Sequence, residues 1–408
     1  MSVTRARCGL LVLGTALLGC GSSGGHGAAA ATSADDGAGG GAGQSASSTG
    51  GAGAAAVAGM ANGGNVSGGG NANGAGAGAG GLSAGPMQLI SRGLPAFAST
   101  GMAKNANDEQ PNIAWSSETL PAWLAYDVSQ VPMAQRQKLL LAWYCYWADY
   151  LVTTPKPEQL LPLDYVVETN VAPGGAQPPT DGWKEVAQVT ANAKSARQHV
   201  FDLASANWVR LTVTKSSDAA KVMVDLDLYS APSGGSDGWL FMGDSITYMT
   251  TQRAFSDLPG LVEKSQKGRV PLVIDGALGG TNTTTAQDII ETSLAEFDGH
   301  YVVLAYGTND HAAEYKMESL VQKVIALGKV PVVPHVPWSN TKLEEGPLLN
   351  QNIDALYAKY PEIVKGPDLW KAFENRLDLI PAGDVHPNAS GQELLRGEWA
   401  KVIIGVEP

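Results

Sequence analysis

The chain has 408 residues, a formal net charge of −12, 50 glycines and only three cysteines. That charge balance excludes nucleic acid or an anionic polysaccharide as a partner held by electrostatics, because such partners are drawn by Lys and Arg fields. Length allows roughly two ordinary domains once non-globular segments are set aside.

The first such segment is amino-terminal. Arg5 and Arg7 precede an apolar run from Leu10 to Leu18, the layout of a secretory signal and too short to span a bilayer. The run closes as Leu17-Leu18-Gly19-Cys20, which resembles the bacterial lipoprotein box. The resemblance implies that residues 1–20 are a signal peptide, that Cys20 is lipidated, and that the protein is exported and anchored to the cell envelope, with Gly21 suggesting the outer membrane. The alternative is an ordinary signal peptide and secretion. Residues 21–86 are almost entirely Gly, Ala, Ser and Asn and cannot bury enough surface to offset chain entropy, so they read as a disordered tether. A flexible coil of roughly 65 residues spans about 40–50 Å. Cys8 leaves with the signal, so Cys145 has no disulfide partner and no thiolate metal cluster can form.

Residues 87–235 read as an all-β sandwich domain. Short alternating runs at 123–127, 138–143, 165–169, 183–186, 208–213 and 222–229 are predicted strands. The wording Ala106-Asn-Asp-Glu-Gln-Pro-Asn-Ile-Ala-Trp115, Trp123-Leu-Ala-Tyr-Asp127, Asp181-Gly-Trp183 and Trp208-Val-Arg210 is similar to discoidin or galactose-binding-like domains, many of which bind sugars on end loops. Trp143, Tyr144, Tyr146, Trp147 and Tyr150 form an aromatic cluster that could stack on a pyranose; the competing reading is core packing, favoured for Trp143.

From residue 236 to 408 the grammar changes. Nearly continuous apolar runs at 239–242, 270–274, 301–306 and 330–333 read as buried parallel strands, with helical spacing over 286–297, 314–327 and 348–360. The expectation is a three-layer α/β domain with its functional residues beyond the strand carboxyl ends.

The residues just past these strand ends carry the chemistry. Gly243-Asp244-Ser245 alone is a weak signal, since such a tripeptide is more often a turn or helix cap. Three further blocks come after it in order: Asp275-Gly-Ala-Leu-Gly279-Gly280-Thr, Gly307-Thr-Asn309-Asp310 and Asp384-Val-His386-Pro-Asn. This ordered set resembles the SGNH hydrolases, or GDSL esterases, whose blocks contribute Ser, Gly, Asn and His.

Acyl transfer needs a nucleophile, a base, an orienter for the base and donors for the oxyanion. On this reading Ser245 attacks, His386 takes its proton and Asp384 orients the imidazole. The oxyanion donors are the backbone N–H groups of Ser245 and Gly279 and the amide of Asn309, with the doubled Gly279-Gly280 leaving the glycine uncertain by one residue. The commoner family spacing puts the acid three residues before the histidine, where this chain has Gly383. Asp-x-His-Pro and the order of the two domains resemble carbohydrate esterase family two, bacterial acetyl esterases. If Asp384 does not reach, a Ser-His dyad oriented by a backbone carbonyl remains. Trp338 is a candidate to stack on substrate or else a cap over the core, and His311 a candidate for the cleft wall. Asp244, Asp275 and Asp310 show no metal-ligand spacing, and serine chemistry needs neither metal nor cofactor.

The function expected is a serine esterase that removes acetyl groups from a polysaccharide. The alternatives are a broad esterase, lipase or thioesterase acting on small esters, and a surface carbohydrate-binding protein with a vestigial hydrolase domain.

Overall fold

The computed structural model describes residues 87–108, 113–146, 148–251 and 257–407. The signal segment with Cys20, the tether and Trp147 lie outside the described residues.

Ten strands form the first part: β1 (Gln88–Leu89), β2 (Ala96–Ala98), β3 (Trp115–Ser116), β4 (Ala122–Asp127), β5 (Lys138–Tyr144), β6 (Pro162–Asn170), β7 (Lys184–Val189), β8 (Ala196–Asp202), β9 (Trp208–Ser216) and β10 (Met223–Ser230), with one short helix α1 (Met133–Arg136). They make two sheets, β1-β10-β5-β8 with β3 on β10, and β2-β4-β9-β6-β7, in which every pair is antiparallel. Alternation places Val209, Leu211 and Val213 of β9 in the core with Trp115, Tyr126 and Trp143. On the other face of β9, Arg210 forks onto Glu168 at 2.8 and 3.0 Å and lies 3.9 Å over the Trp183 ring.

The run Lys138-Leu-Leu-Leu-Ala-Trp-Tyr144 departs from this alternation, and packing explains why. Leu139, Leu141 and Trp143 enter the sandwich interior, whereas Leu140, Ala142 and Tyr144 enter a second core that they share with the α/β part. Antiparallel strands commonly keep one face wet; β5 keeps neither. Polar contacts reinforce the seam at one helix end. Tyr150 Oη donates to Ser293 O at 3.2 Å, Gln198 Nε2 to Glu296 O at 3.1 Å, Lys194 Nζ to Ala295 O, and Arg197 pairs with Glu296 at 2.9 Å. These donors meet the unpaired carbonyls and negative pole at the end of a helix. Burial lowers the Lys194 ammonium to about 8.

The second part is a parallel sheet in the order β12-β11-β13-β14-β15, built from β11 (Gly238–Gly243), β12 (Leu272–Asp275), β13 (Tyr301–Ala305), β14 (Val330–Val333) and β15 (Val364–Lys365). Its helices are α2 (Ser245–Thr251), α3 (Leu258–Ser265), α4 (Thr283–Leu294), α5 (Met317–Ala326), α6 (Glu345–Lys359), α7 (Leu369–Phe373) and α8 (Ala389–Gly405). Leu240 and Met242 of β11 pack with Ile290, Leu320 and Ile353 of α4, α5 and α6. Trp239 and Phe241, one residue out of phase, pack with Val262, Leu369 and Trp399 of α3, α7 and α8. The sheet is thus covered on both faces, which gives the three layers. Strand order reverses on either side of β11, and the crevice beyond its carboxyl end is where such sheets place ligands.

β11 is entered through a buried ion pair. Arg269 binds Asp237 at 2.8 and 2.9 Å, the two side chains being 6% and 0% exposed, and Trp239 Nε1 donates to the same carboxylate at 2.9 Å. Breaking one side of a buried pair typically costs about 3–5 kcal/mol. Arg269→Met is therefore expected to lower the urea-unfolding free energy by an amount in that range, and Asp237→Leu added to it to recover part of the loss.

Candidate active site

Gly243 ends β11 in a place with no room for a side chain. A Cβ there would stand 2.1 Å from Thr247 Oγ1 and 2.7 Å from Ala305 O. Asp244 is next, and its Oδ1 accepts from Ile246 N at 2.9 Å, which starts α2 at Ser245. Ser245 Oγ then lies 2.9 Å from His386 Nε2, and His386 Nδ1 lies 2.8 Å from Asp384 Oδ1.

The two-residue spacing reaches because the Asp384 turn closes on itself. Its Oδ1 also accepts from Val385 N at 2.7 Å and His386 N at 3.0 Å, and these bonds, that from His386 N foremost, hold the carboxyl below its ordinary range. Gly383 has φ +84°, a left-handed backbone that suits glycine better than an acid. Ser339 Oγ donates to Asp384 O at 2.7 Å, and Asn340 Oδ1 accepts from Gly383 N at 3.0 Å, so the segment after β14 steadies the turn. The Asp384 carbonyl is taken up by Ser339 rather than presented to His386.

The loop after β12 folds over the serine. Leu278 N and Thr281 Oγ1 both donate to Gly243 O, at 3.0 and 3.1 Å. A Cβ at Gly279 would stand 3.9 Å from Ser245 Cβ, whereas Gly280 has φ +78° and nothing within 4 Å. Gly279 is therefore the neighbour of Ser245, and Gly280 serves the turn. Asn309, after β13, donates from Nδ2 to Thr281 O at 3.0 Å. Next to it Asp310 is buried and accepts from Thr283 N at 3.0 and 3.2 Å and from Thr283 Oγ1. Two adjacent residues after β13 thus clasp the loop after β12, and the amide of Asn309 is held on that loop at Thr281, two residues past Gly279.

Other expected residues fall elsewhere. Trp338 is 5% exposed and packs in the core with Leu369 and Phe373, which corrects its reading as a stacking platform: the indole is consumed as a core cap. His311 is exposed and paired with Glu345 at 3.5 Å, with no bond to Ser245, His386 or Asn309. Trp143, Tyr144 and Tyr150 are buried, and Tyr146 is half-buried. Among the described residues, no three His, Cys, Asp or Glu side chains are placed to hold a metal ion. Ser339, Asn340 and Thr283 carry no motif, and nothing in the sequence singles them out; Asp310 stands out there only as an acid beside Asn309.

Two acids, Asp244 buried and Asp275 half-buried, shape the strand ends. Desolvation raises Asp244 to about 6 and Asp275 to about 7, against the bonds that Asp275 accepts from Ala277 N at 3.1 Å and from Thr251. Proton linkage gives these shifts a sign. An unfolded carboxyl titrates at 3.8 and the folded Asp275 near 7, so between those values the native state keeps a proton that the unfolded chain has lost, and raising the pH favours unfolding. Asp275→Asn removes this dependence. The stability of the variant relative to the parent is expected to rise between pH 4 and 7, by at most about 4 kcal/mol at 1.36 kcal/mol per tenfold change in proton affinity; thermal unfolding of both proteins across that range checks it.

The family model described as GDSL-like lipase/acylhydrolase matches residues 241–394. That segment is a GDSL-type hydrolase domain. No curated protein matches the chain. Among solved structures, the chain is similar to an acetylxylan esterase from Geobacillus stearothermophilus, at 19% identity over 42% of this chain and 95% of that one, with a TM-score of 0.36. It is also similar to chitosan-binding module 1 of a chitosanase/glucanase from Paenibacillus sp. IK-5, at 16% identity over 35% of this chain and 98% of that one, with a TM-score of 0.26.

Proposed function

We propose that the protein is a serine esterase acting through Ser245, His386 and Asp384, with acetyl groups on a polysaccharide as its substrate. The observation that carries the reading is the unbroken line from Ser245 Oγ through His386, at 2.9 and 2.8 Å, to Asp384. His386 Nε2 accepts the serine proton as Oγ attacks the acyl carbon. The developing oxyanion is met by the N–H groups of Ser245 and Gly279 and by the amide of Asn309, which are fixed before substrate arrives. The imidazolium returns the proton to the departing sugar alkoxide, and water resolves the acyl-enzyme by the same steps in reverse roles. Support for a small acyl group on a large alcohol comes from exposure. His386 and Asp384 are 39% and 49% exposed, an open placement that suits an ester borne on a polymer, whereas a long acyl chain calls for an enclosed apolar channel.

The expected outcome is release of acetate from at least one of acetylated xylan, glucomannan, pectin or peptidoglycan, absent in Ser245→Ala, with 4-nitrophenyl acetate turned over faster than the octanoate. Octanoate turnover above acetate, without polymer deacetylation, would place the protein among broad esterases or lipases. Within the site, Asn309→Ala is expected to lower kcat about 10²- to 10³-fold, the usual loss for one oxyanion donor. Asp384→Ala is expected to lose activity steeply, to within about a hundredfold of His386→Ala in kcat/KM, since in such a unit removing the acid alone costs less than removing the base. A mild Asp384 effect would leave a Ser-His dyad.

A further inference from the structure

The seam between the sandwich and the α/β part is tight at the end of α4, but it opens at the end nearer Ser245. There it leaves a crevice that is open to solvent. Tyr146, Ala148 and Asp149, from the segment after β5, form one wall; Tyr248 of α2 and Asp275 and Ala277 after β12 form the other.

We propose that this crevice is a glycosyl subsite that holds a neutral pyranose of the substrate chain beside the scissile ester. The inference rests on the esterase reading for the identity of the chain, but not for the binding itself. The crevice lies close to the reacting groups. Tyr248 is three residues after Ser245 on α2, about 4.5 Å along the axis, and Ala277 is two residues before Gly279, the neighbour of Ser245. A sugar in the crevice therefore touches the helix and the loop that carry those groups.

The lining suits a sugar chemically as well. Tyr248 keeps 37% of its surface exposed and Tyr146, whose hydroxyl donates to Asp225, is half-buried, so two phenol rings line the crevice, a side-chain type that packs on pyranose rings. Asp149 is exposed and Asp275 partly so, and carboxylates are strong acceptors for hydroxyl groups. Near neutrality Asp275, raised to about 7 by burial, exchanges between acceptor and donor, which suits a hydroxyl that does both. Among the described residues lining the crevice there is no Lys, Arg or His. A uronate or phosphorylated sugar would meet two acids and no cation, against a net charge of −12. Neutral hydroxyls are the match. The sandwich then contributes to the substrate site through Tyr146 and Asp149.

The test uses the full chain with Ser245→Ala and three deacetylated hexamers, of xylose, glucose and mannose, with hexamers of glucosamine and galacturonate for contrast, their binding measured by calorimetry. Two further variants act on the crevice: Asp149→Ala removes a carboxylate, and Ala148→Trp fills the space from its rim. At least one neutral hexamer is expected to bind, with Kd raised about tenfold or more by each variant. In the Ser245 protein, the same variants are expected to lower kcat/KM on the acetylated polymer about tenfold relative to 4-nitrophenyl acetate. Absence of neutral-hexamer binding, binding unmoved by both variants, or binding of the glucosamine or galacturonate hexamer alone overturns the proposal. Should one variant fail to fold, the other still reports. Binding that responds to the variants in a protein that releases no acetate would sink the esterase reading and leave the subsite; acetate release with an unmoved ratio would do the reverse.

Discussion

Strand β5 is buried on both faces, and much of the molecule depends on it. Leu139, Leu140 and Leu141 are each fully buried, yet they serve two cores. At about 1.5–3 kcal/mol for each large side chain removed from water, the face turned toward the α/β part is a substantial fraction of the stability of an ordinary domain. The sandwich is therefore a wall of the hydrolase rather than a passenger on it. Tyr150, and Tyr146 in part, just beyond the end of β5, pack on that same shared core.

The site itself depends on bonds between loops, not on any one loop. Gly243 O takes two donors from the segment after β12, Thr281 O takes the amide of Asn309, and Asp310 takes Thr283. Each strand-end loop thus fixes the next, and none of these bonds involves a group that must move during acyl transfer. Under the esterase reading, donors held in this way need no reorganisation when charge develops, which is the main source of electrostatic catalysis.

Three of the four blocks were legible because each stands where a continuous apolar run stops, and a parallel sheet puts such stops along one edge; the Asp384 block follows no strand and was legible only by its place in the order. The same logic found four of the five strands of that sheet; β15, only two residues long, gives no periodicity to read. In the sandwich, β8 escaped because Arg197, Gln198 and His199 break the apolar pattern while the strand still pairs with β5 along its length. Period two tells which residues share a face, but not what covers that face, so Leu-Leu-Leu in β5 announced burial without saying that the second cover was the other domain. Trp338 shows the same gap: a tryptophan after a strand reads alike whether it caps a core or faces a cleft. The pairing of Asp310 with Thr283 joins residues 27 apart and leaves no local trace.

Asp384 shows how a departure in spacing can keep a role while changing its balance. Its side chain is half in water, so its field on the imidazolium is screened well below that of a buried acid. What the turn preserves is direction. One oxygen, Oδ1, accepts from Val385 N, His386 N and His386 Nδ1 together, so the carboxylate cannot rotate away from the ring without losing two backbone donors. The third bond fixes the proton on Nδ1 and leaves Nε2 to face Ser245. Under the esterase reading, Asp384 acts more by orienting the ring than by its charge, and the left-handed Gly383 that allows this turn occupies the position where the commoner spacing would place the acid.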